Sequence, residues 1–256
     1  MPPRFLALVP LVLLLCAGIG RAGDPRKSGF DFMSPSTQAM QRDDTQNPAM
    51  LWVGGGAALW QRKAGRSNQS CASCHGDATA SMRGVAARFP AFDPHTNAAI
   101  GLGQRINQCR VRHQQAEPLA PESEELLSVE SYVAVQSRGM PQAPPPDPRL
   151  TPALARGGRL FAQRIGQLNL SCAQCHDANW GRRLGGSTIP QGHALAYPVY
   201  RLEWQGMGSL QRRLRNCMSG VRAQVPRWNA QELVDLEVYL ATRAKGMTLE
   251  APGVRP

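Results

Sequence analysis

Two five-residue runs carry the chemistry of this chain: CASCH at Cys71 to His75 and CAQCH at Cys172 to His176. Two thiols at this spacing add to the two vinyl groups of a haem. The histidine that follows falls beneath the iron as its proximal ligand. Zinc sites and thioredoxin-like redox pairs also use CxxC, but neither accounts for an adjacent histidine twice. The expected cofactors are two covalently bound c-type haems. One is expected on Cys71, Cys74 and His75, the other on Cys172, Cys175 and His176.

The second axial ligand of each iron is less direct. Methionine is the usual partner in a small cytochrome c. Met140 and Met247 occupy matching positions but end the last helical pattern of each half, while Met207, Met218, His95 and His193 have no counterparts. The residues that match in type and place are Cys109, ending QRINQC, and Cys217, ending RRLRNC. Three readings stand for this pair. The first is a disulfide between them, which needs α-carbons within about 7 Å. The second is a pair of buried inert thiols. The third is ligation of each half's own iron by thiolate. The arginines beside Cys217, namely Arg212, Arg213, Arg215 and Arg222, favour thiolate over thiol.

The elements that must position these residues come in two copies. GAALWQRKAGRSNQSC (56 to 71) aligns with GGRLFAQRIGQLNLSC (157 to 172), FPAF (89 to 92) with YPVY (197 to 200), and ELLSVESYVAVQSRGM (125 to 140) with ELVDLEVYLATRAKGM (232 to 247). Shared order at a spacing of about a hundred residues is a tandem duplication of a unit, not a short-period solenoid. Asn47-Pro48 and Thr151-Pro152 read as starts of the first helix in each unit. Leu126, Val129 and Val133, like Leu233, Leu236 and Leu240, form one face of the last helix. Asn229 with Glu232 reads as a capping box. The prolines of PQAPPPDPRL (141 to 150) predict a stiff linker. No long alternating strand pattern occurs. The fold class is therefore mainly α: two tandem cytochrome c-like haem domains with long loops, over 47–142 and 151–256, joined by a Pro-rich linker at 143–150. The extension at 23–46 has weak pattern and is a candidate for disorder or for wrapping on a partner.

Residues 1–22 read as a secretory signal peptide. Arg4 provides the charge, Phe5 to Ala17 the apolar core, and Gly20 and Ala22 the small residues of a cleavage site. The expected location is periplasmic, with no membrane span after cleavage. The 256-residue chain holds 29 basic and 18 acidic residues, a net charge of +11. Export argues against a nucleic-acid partner and favours an anionic small molecule or an acidic protein.

Two CxxCH motifs, each followed by a cysteine behind Arg-x-x-x-Cys with an aromatic-Pro-x-aromatic run between, make the chain resemble the SoxA family. These are dihaem cytochrome subunits of the SoxAX thiosulfate-oxidising complex. The resemblance spans nearly the whole mature chain and implies L-cysteine S-thiosulfotransferase activity. Together with a SoxX-type cytochrome subunit, thiosulfate would be joined oxidatively to a cysteine of the SoxYZ carrier. Two electrons would pass to an acceptor cytochrome c. By the same resemblance Cys217 is the catalytic sulfur, carried as a persulfide, and Arg213 the anion-binding group. Arginine's planar fork suits sulfonate oxygens, and positions i and i+4 share a helix face. Arg105 precedes Cys109 in the same way, so this arginine alone does not identify the reactive copy. The competing class is a dihaem electron-transfer cytochrome without sulfur chemistry. A dihaem peroxidase would need an open coordination position, which a cysteine or methionine at each iron excludes.

Overall fold

A computed structural model describes residues 24–256. The signal-peptide reading lies outside them. The helices are α1 (Pro35–Arg42), α2 (Ala49–Gln61), α3 (Cys71–His75), α4 (Ala78–Ser81), α5 (Leu102–Cys109), α6 (Glu124–Val135), α7 (Thr151–Ala162), α8 (Cys172–His176), α9 (Leu210–Gly220) and α10 (Gln231–Arg243). The strands are β1 (Ala91–Asp93), β2 (Ala98–Ile100), β3 (Arg183–Leu184), β4 (Ser187–Thr188), β5 (Val199–Arg201), β6 (Gly206–Gly208) and β7 (Gly253–Arg255). All are two or three residues long, too short to leave an alternating pattern in the sequence. β1–β2 and β3–β4 are hairpins, and β6–β5–β7 is a sheet with β5 and β7 parallel. The architecture is mainly helical, as the sequence predicts.

Each repeat is organised by its first and last long helices, and a glycine sets how closely they cross. A Cβ on Gly56 of α2 would lie 2.1 Å from the Ser128 carbonyl oxygen of α6. A Cβ on Gly157 of α7 would lie 2.0 Å from the Asp235 carbonyl oxygen of α10. The two glycines are equivalent in the repeat alignment. Any side chain there would force the helices apart, an overpacking that costs about 1–3 kcal/mol.

The repeats are not strung out on a linker. The β5–β6 hairpin of the second sends Tyr200 and Met207 onto Ala49 and Leu127 of the first. The β1–β2 hairpin of the first puts Ala99 and Phe92 against Ala153, Val234 and Val238 of the second. The chain leaving α6 runs antiparallel to the chain leaving α10. Gln142 N donates to the Met247 carbonyl at 2.8 Å, and Leu249 N donates to the Met140 carbonyl at 2.9 Å. The bridge at the centre joins Pro141 to Thr248, residues that match in the repeat alignment, as a pseudo-twofold relation requires. The proline-rich segment thus begins inside the joint between repeats.

Three sequence expectations are corrected here. Thr151 does not cap α7: a short 3-10 turn, Pro148–Leu150, runs straight into it, and Asp147 caps that turn. Asn229 forms no capping box, because Ala230 is the N-cap of α10 and makes no side-chain cap. Asn229 takes a left-handed conformation and gives its N–H to Gln211 Oε1 at 2.9 Å. Residues 24–46 are not left loose. Arg26 donates to the carbonyls of Arg243 and Lys245, and Gln41 Oε1 accepts from Val254 N at 2.9 Å, tying the extension to the second repeat.

A cavity of about 150 Å³ lies on the seam between repeats, lined by Glu122, Glu130 and Glu237. Glu130 and Glu237 match in the repeat alignment. Their accessible surface opens into this cavity, and the surrounding protein desolvates both. Burial, then the Glu237 and Glu122 charges, push Glu130 up to about 8; burial and then Glu122 do the same for Glu237. Glu122 is raised by burial too, against the opposing pull of its contacts with Ser209 and the charges of Arg212 and Arg215. The sign follows directly. Between the ordinary glutamate value of 4.5 and about 8 the folded chain holds protons that the unfolded chain has released, so stability falls as pH rises. For a single such group the slope is on the order of 1 kcal/mol per pH unit. Glu130→Gln should melt above the wild type at pH 8 and show a shallower dependence of Tm on pH between 5 and 8, measured by circular dichroism.

Candidate haem sites

The CxxCH runs sit where a short loop turns into a single helical turn. Ser70 caps α3 and Ser171 caps α8, each in a reciprocal capping box with the third helical residue, Ser73 or Gln174. That one turn places the first cysteine, the second cysteine and the histidine on one side of the helix. The loop before it closes through the bridges Ala64 to Gln69 and Ile165 to Leu170. Gly65 and Gly166 have positive φ there, and a Cβ on either would lie 2.1 Å from a carbonyl oxygen, Gln114 or Val221.

Those two carbonyls explain how the distal cysteines reach the motifs. Gln114 ends the π-helical turn Arg110–Gln114 that continues α5 beyond Cys109, and Val221 directly follows α9, which carries Cys217. Ser67 N donates to the Gln114 carbonyl at 3.2 Å, and Leu168 N donates to the Val221 carbonyl at 3.3 Å. The CxxCH loop of each repeat is thereby docked on the cysteine-bearing helix of the same repeat. All six described cysteines are free thiols, so Cys109 and Cys217 are not joined. Cys109 feels the charge of Cys74, and Cys172 that of Cys217.

The donor set in each repeat fits a c-type haem: two thiols able to take the vinyl groups, an imidazole beside them, and a third thiol from a different helix. The second set is the better supported. His176 Nδ1 bonds the Pro190 carbonyl at 2.7 Å, which fixes the ring and leaves Nε2 for iron. Gly192 lies against the same ring, where a Cβ would come within 3.0 Å of it. Burial, which the Pro190 contact only partly opposes, lowers the pKa of His176 and favours the neutral ligand form; Arg213 and Arg243 act in the same direction. His75, by contrast, is exposed.

Charge around the thiols differs from the simple expectation. Burial pushes the Cys109 thiol up, and Arg105 and Arg112 only partly offset it. Burial and then the neighbouring Cys217 push Cys172 up to about 11, the protonated thiol form that a thioether replaces. Flanking arginines therefore do not by themselves make a thiolate of Cys109.

Four further alternatives are placed by the structure. Met207 and Met218 are buried in hydrophobic clusters, and Met247 packs beside Leu195 and Leu249 on the seam. His95 is exposed in the β1–β2 turn.

A family model described as "SoxA/TsdA, cytochrome c domain" matches residues 55–142 and 156–249. The chain belongs to this family. A cytochrome c domain carries c-type haem. The L-cysteine S-thiosulfotransferase subunit SoxA of Pseudaminobacter salicylatoxidans is 36% identical over 96% of this chain and 87% of that protein. The corresponding subunit of Paracoccus pantotrophus is 33% identical over 89% of this chain and 78% of its own length. The crystal structure of SoxXA from P. pantotrophus superposes with a TM-score of 0.87, at 33% identity, over 90% of this chain and 87% of that one. The fold thus recurs in a solved relative of this SoxA-type chain.

One residue beside Cys217 is missed by the motifs. Arg201, at the end of β5, is 8% exposed and lies within the electrostatic reach of Arg213, Tyr197 and Cys217. Its signal was one position beyond the matched YPVY run, where it stands opposite Asp93 of the first repeat.

Proposed function

We propose that this chain is the catalytic SoxA-type subunit of a periplasmic thiosulfate-oxidising complex. It carries two c-type haems, one in each of the units 47–142 and 151–256. The first is held by Cys71, Cys74 and His75 with Cys109 as distal ligand. The second is held by Cys172, Cys175 and His176 with Cys217. A SoxX-type cytochrome subunit completes the assembly, and the carrier SoxYZ presents the acceptor cysteine. The overall reaction joins the thiol RSH to S2O3²⁻, giving RS–S–SO3⁻, one proton and two electrons, the electrons passing to an acceptor cytochrome c.

The observation that carries this reading is the placement of Cys217 and Arg213 one turn apart on α9, beside the CAQCH loop of their own repeat. Arg213 holds the sulfonate end of thiosulfate, which directs the outer sulfur toward the thiol. Cys217 is the sulfur that exchanges, and it carries a sulfane sulfur. When bound, the haem supplies the electron acceptor for the S–S bond-forming step. The loop from Pro190 to Gly192 holds His176 in one ring orientation.

Two measurements test the reading. Intact mass of the mature protein should show two haems and a further mass of about 32, one sulfur atom. The complex should reduce cytochrome c with thiosulfate only when a carrier thiol is present. Reduction independent of the carrier thiol would instead mark an electron-transfer cytochrome.

A further inference from the structure

The two repeats share an arginine four residues before the distal cysteine, yet the residue facing that arginine is reversed in charge. In the first repeat Asp93 closes β1 with its side chain fully covered, and Arg105 lies 3.7 Å from it. The carboxylate is fixed in place. Thr96 donates to Oδ2 from its hydroxyl at 2.8 Å and from its backbone at 3.1 Å, and Gln108 donates to it at 2.8 Å. Burial alone would raise this group, but these bonds and Arg105 hold it at about 2. Arg105 therefore already faces a buried carboxylate before any anion arrives.

In the second repeat the matching position is Arg201. Its side chain is 10% exposed, and its only carboxylate neighbour is Glu203, 3.0 Å from Nε among the described ion pairs. That contact is off-axis for a hydrogen bond, so the buried Nε has no hydrogen-bond partner among the described residues. Glu203 is also the neighbour of Arg213, at 3.9 Å, and is itself 48% exposed. One half-solvated carboxylate thus stands between two guanidinium groups. The ring of Trp204 stacks under Arg201 at 5.1 Å and under Arg212 at 4.3 Å, holding the β5–β6 turn that carries this charge.

Burying a second cation beside a first is unfavourable unless an anion joins them. Burial and then the Arg213 charge oppose protonation of Arg201, while Glu203, Tyr197 and Cys217 favour it. Within this cluster, Glu203 is the one carboxylate among the described ion pairs. Two forks with one shared, exposed carboxylate suit a tetrahedral oxyanion better than a single arginine does.

We propose that Arg201 and Arg213 together bind the sulfonate of thiosulfate, and that the reversal from Asp93 to Arg201 confines sulfur chemistry to the second repeat. Glu203 is the internal anion that the substrate displaces. The inference rests on the thiosulfate reading of this site and adds a specificity-determining residue to it.

The test uses the assembled holocomplex with thiosulfate as the probe. Steady-state turnover gives KM and kcat, and calorimetric titration of the oxidised complex gives a Kd that does not depend on turnover. Arg201→Met should raise both KM and Kd about tenfold or more, with a smaller change in kcat and with haem absorption unchanged. Arg201→Lys should recover part of the loss. Glu203→Gln alters a solvent-facing side chain and tests the pair without touching the buried strand end. It should lower KM and Kd several-fold. Unchanged constants in Arg201→Met, or weaker binding in Glu203→Gln, overturn the pair while leaving the wild-type activity standing. A wild-type complex that neither binds nor oxidises thiosulfate overturns the functional reading and the pair with it.

Discussion

Cys217→Ala is expected to lower thiosulfate-dependent reduction of cytochrome c at least about a hundredfold, while Cys109→Ala keeps most of the wild-type rate. Removing a sulfur that forms and breaks bonds eliminates the step it carries. Removing a distal ligand at a site where no substrate binds changes only the local potential. The two cysteines match in sequence, so the contrast between the variants comes from their surroundings. Cys109 has Arg105, which Asp93 holds at 3.7 Å, and burial raises its thiol. Cys217 has Arg213 and the buried Arg201 within electrostatic reach. Intact mass on each variant checks that both CxxCH motifs still carry haem. The opposite pattern, with Cys109→Ala inactive and Cys217→Ala active, would move the reaction to the first repeat.

The parts legible in sequence were those fixed by covalent or local rules. CxxCH requires two thiols and a histidine on one turn, and α3 and α8 are those turns, Cys71–His75 and Cys172–His176. The apolar faces of α6 and α10 were also visible, because a helix buried along one side needs that period. The duplication aligned Cys109 with Cys217 and so isolated the candidate distal ligands. What escaped was long-range. Nothing local says that the β5–β6 hairpin of one repeat packs on the helices of the other, since three-residue strands have no readable period. The capping box at Asn229 failed because Gln211, eighteen residues away, takes its N–H. The extension at 24–46 looked patternless because its partners lie far along the chain, at Arg243 and Lys245 for Arg26 and in β7 for Gln41. Arg201 was silent for a related reason. A single arginine at a strand end is ordinary until the fold shows it buried beside Arg213, and its contrast with Asp93 emerges only when the two repeats are laid over each other.

Arg213→Met is expected to raise KM for thiosulfate by about thirtyfold or more, with Arg105→Met leaving KM unchanged. A hydrogen bond to a charged group contributes about 1.5–3 kcal/mol, which corresponds to roughly ten- to a hundredfold in affinity. Arg213 sits at the more open edge of its pair, with its side chain 35% exposed, so solvent screens part of this and the salt dependence should be visible. Raising ionic strength should increase the wild-type KM and have less effect on Arg213→Met, because a cation has been removed from the site. Arg213→Lys keeps the charge but not the planar fork, and should fall between the two. The effect belongs in KM only if the arginine holds ground state and transition state alike. Thiosulfate keeps most of its sulfonate charge while its outer sulfur is oxidised, so uniform binding is the expected case. A loss confined to kcat with KM intact would instead assign Arg213 to the bond-forming step at Cys217. It would then be stabilising charge that develops on the exchanging sulfur, one turn further along α9.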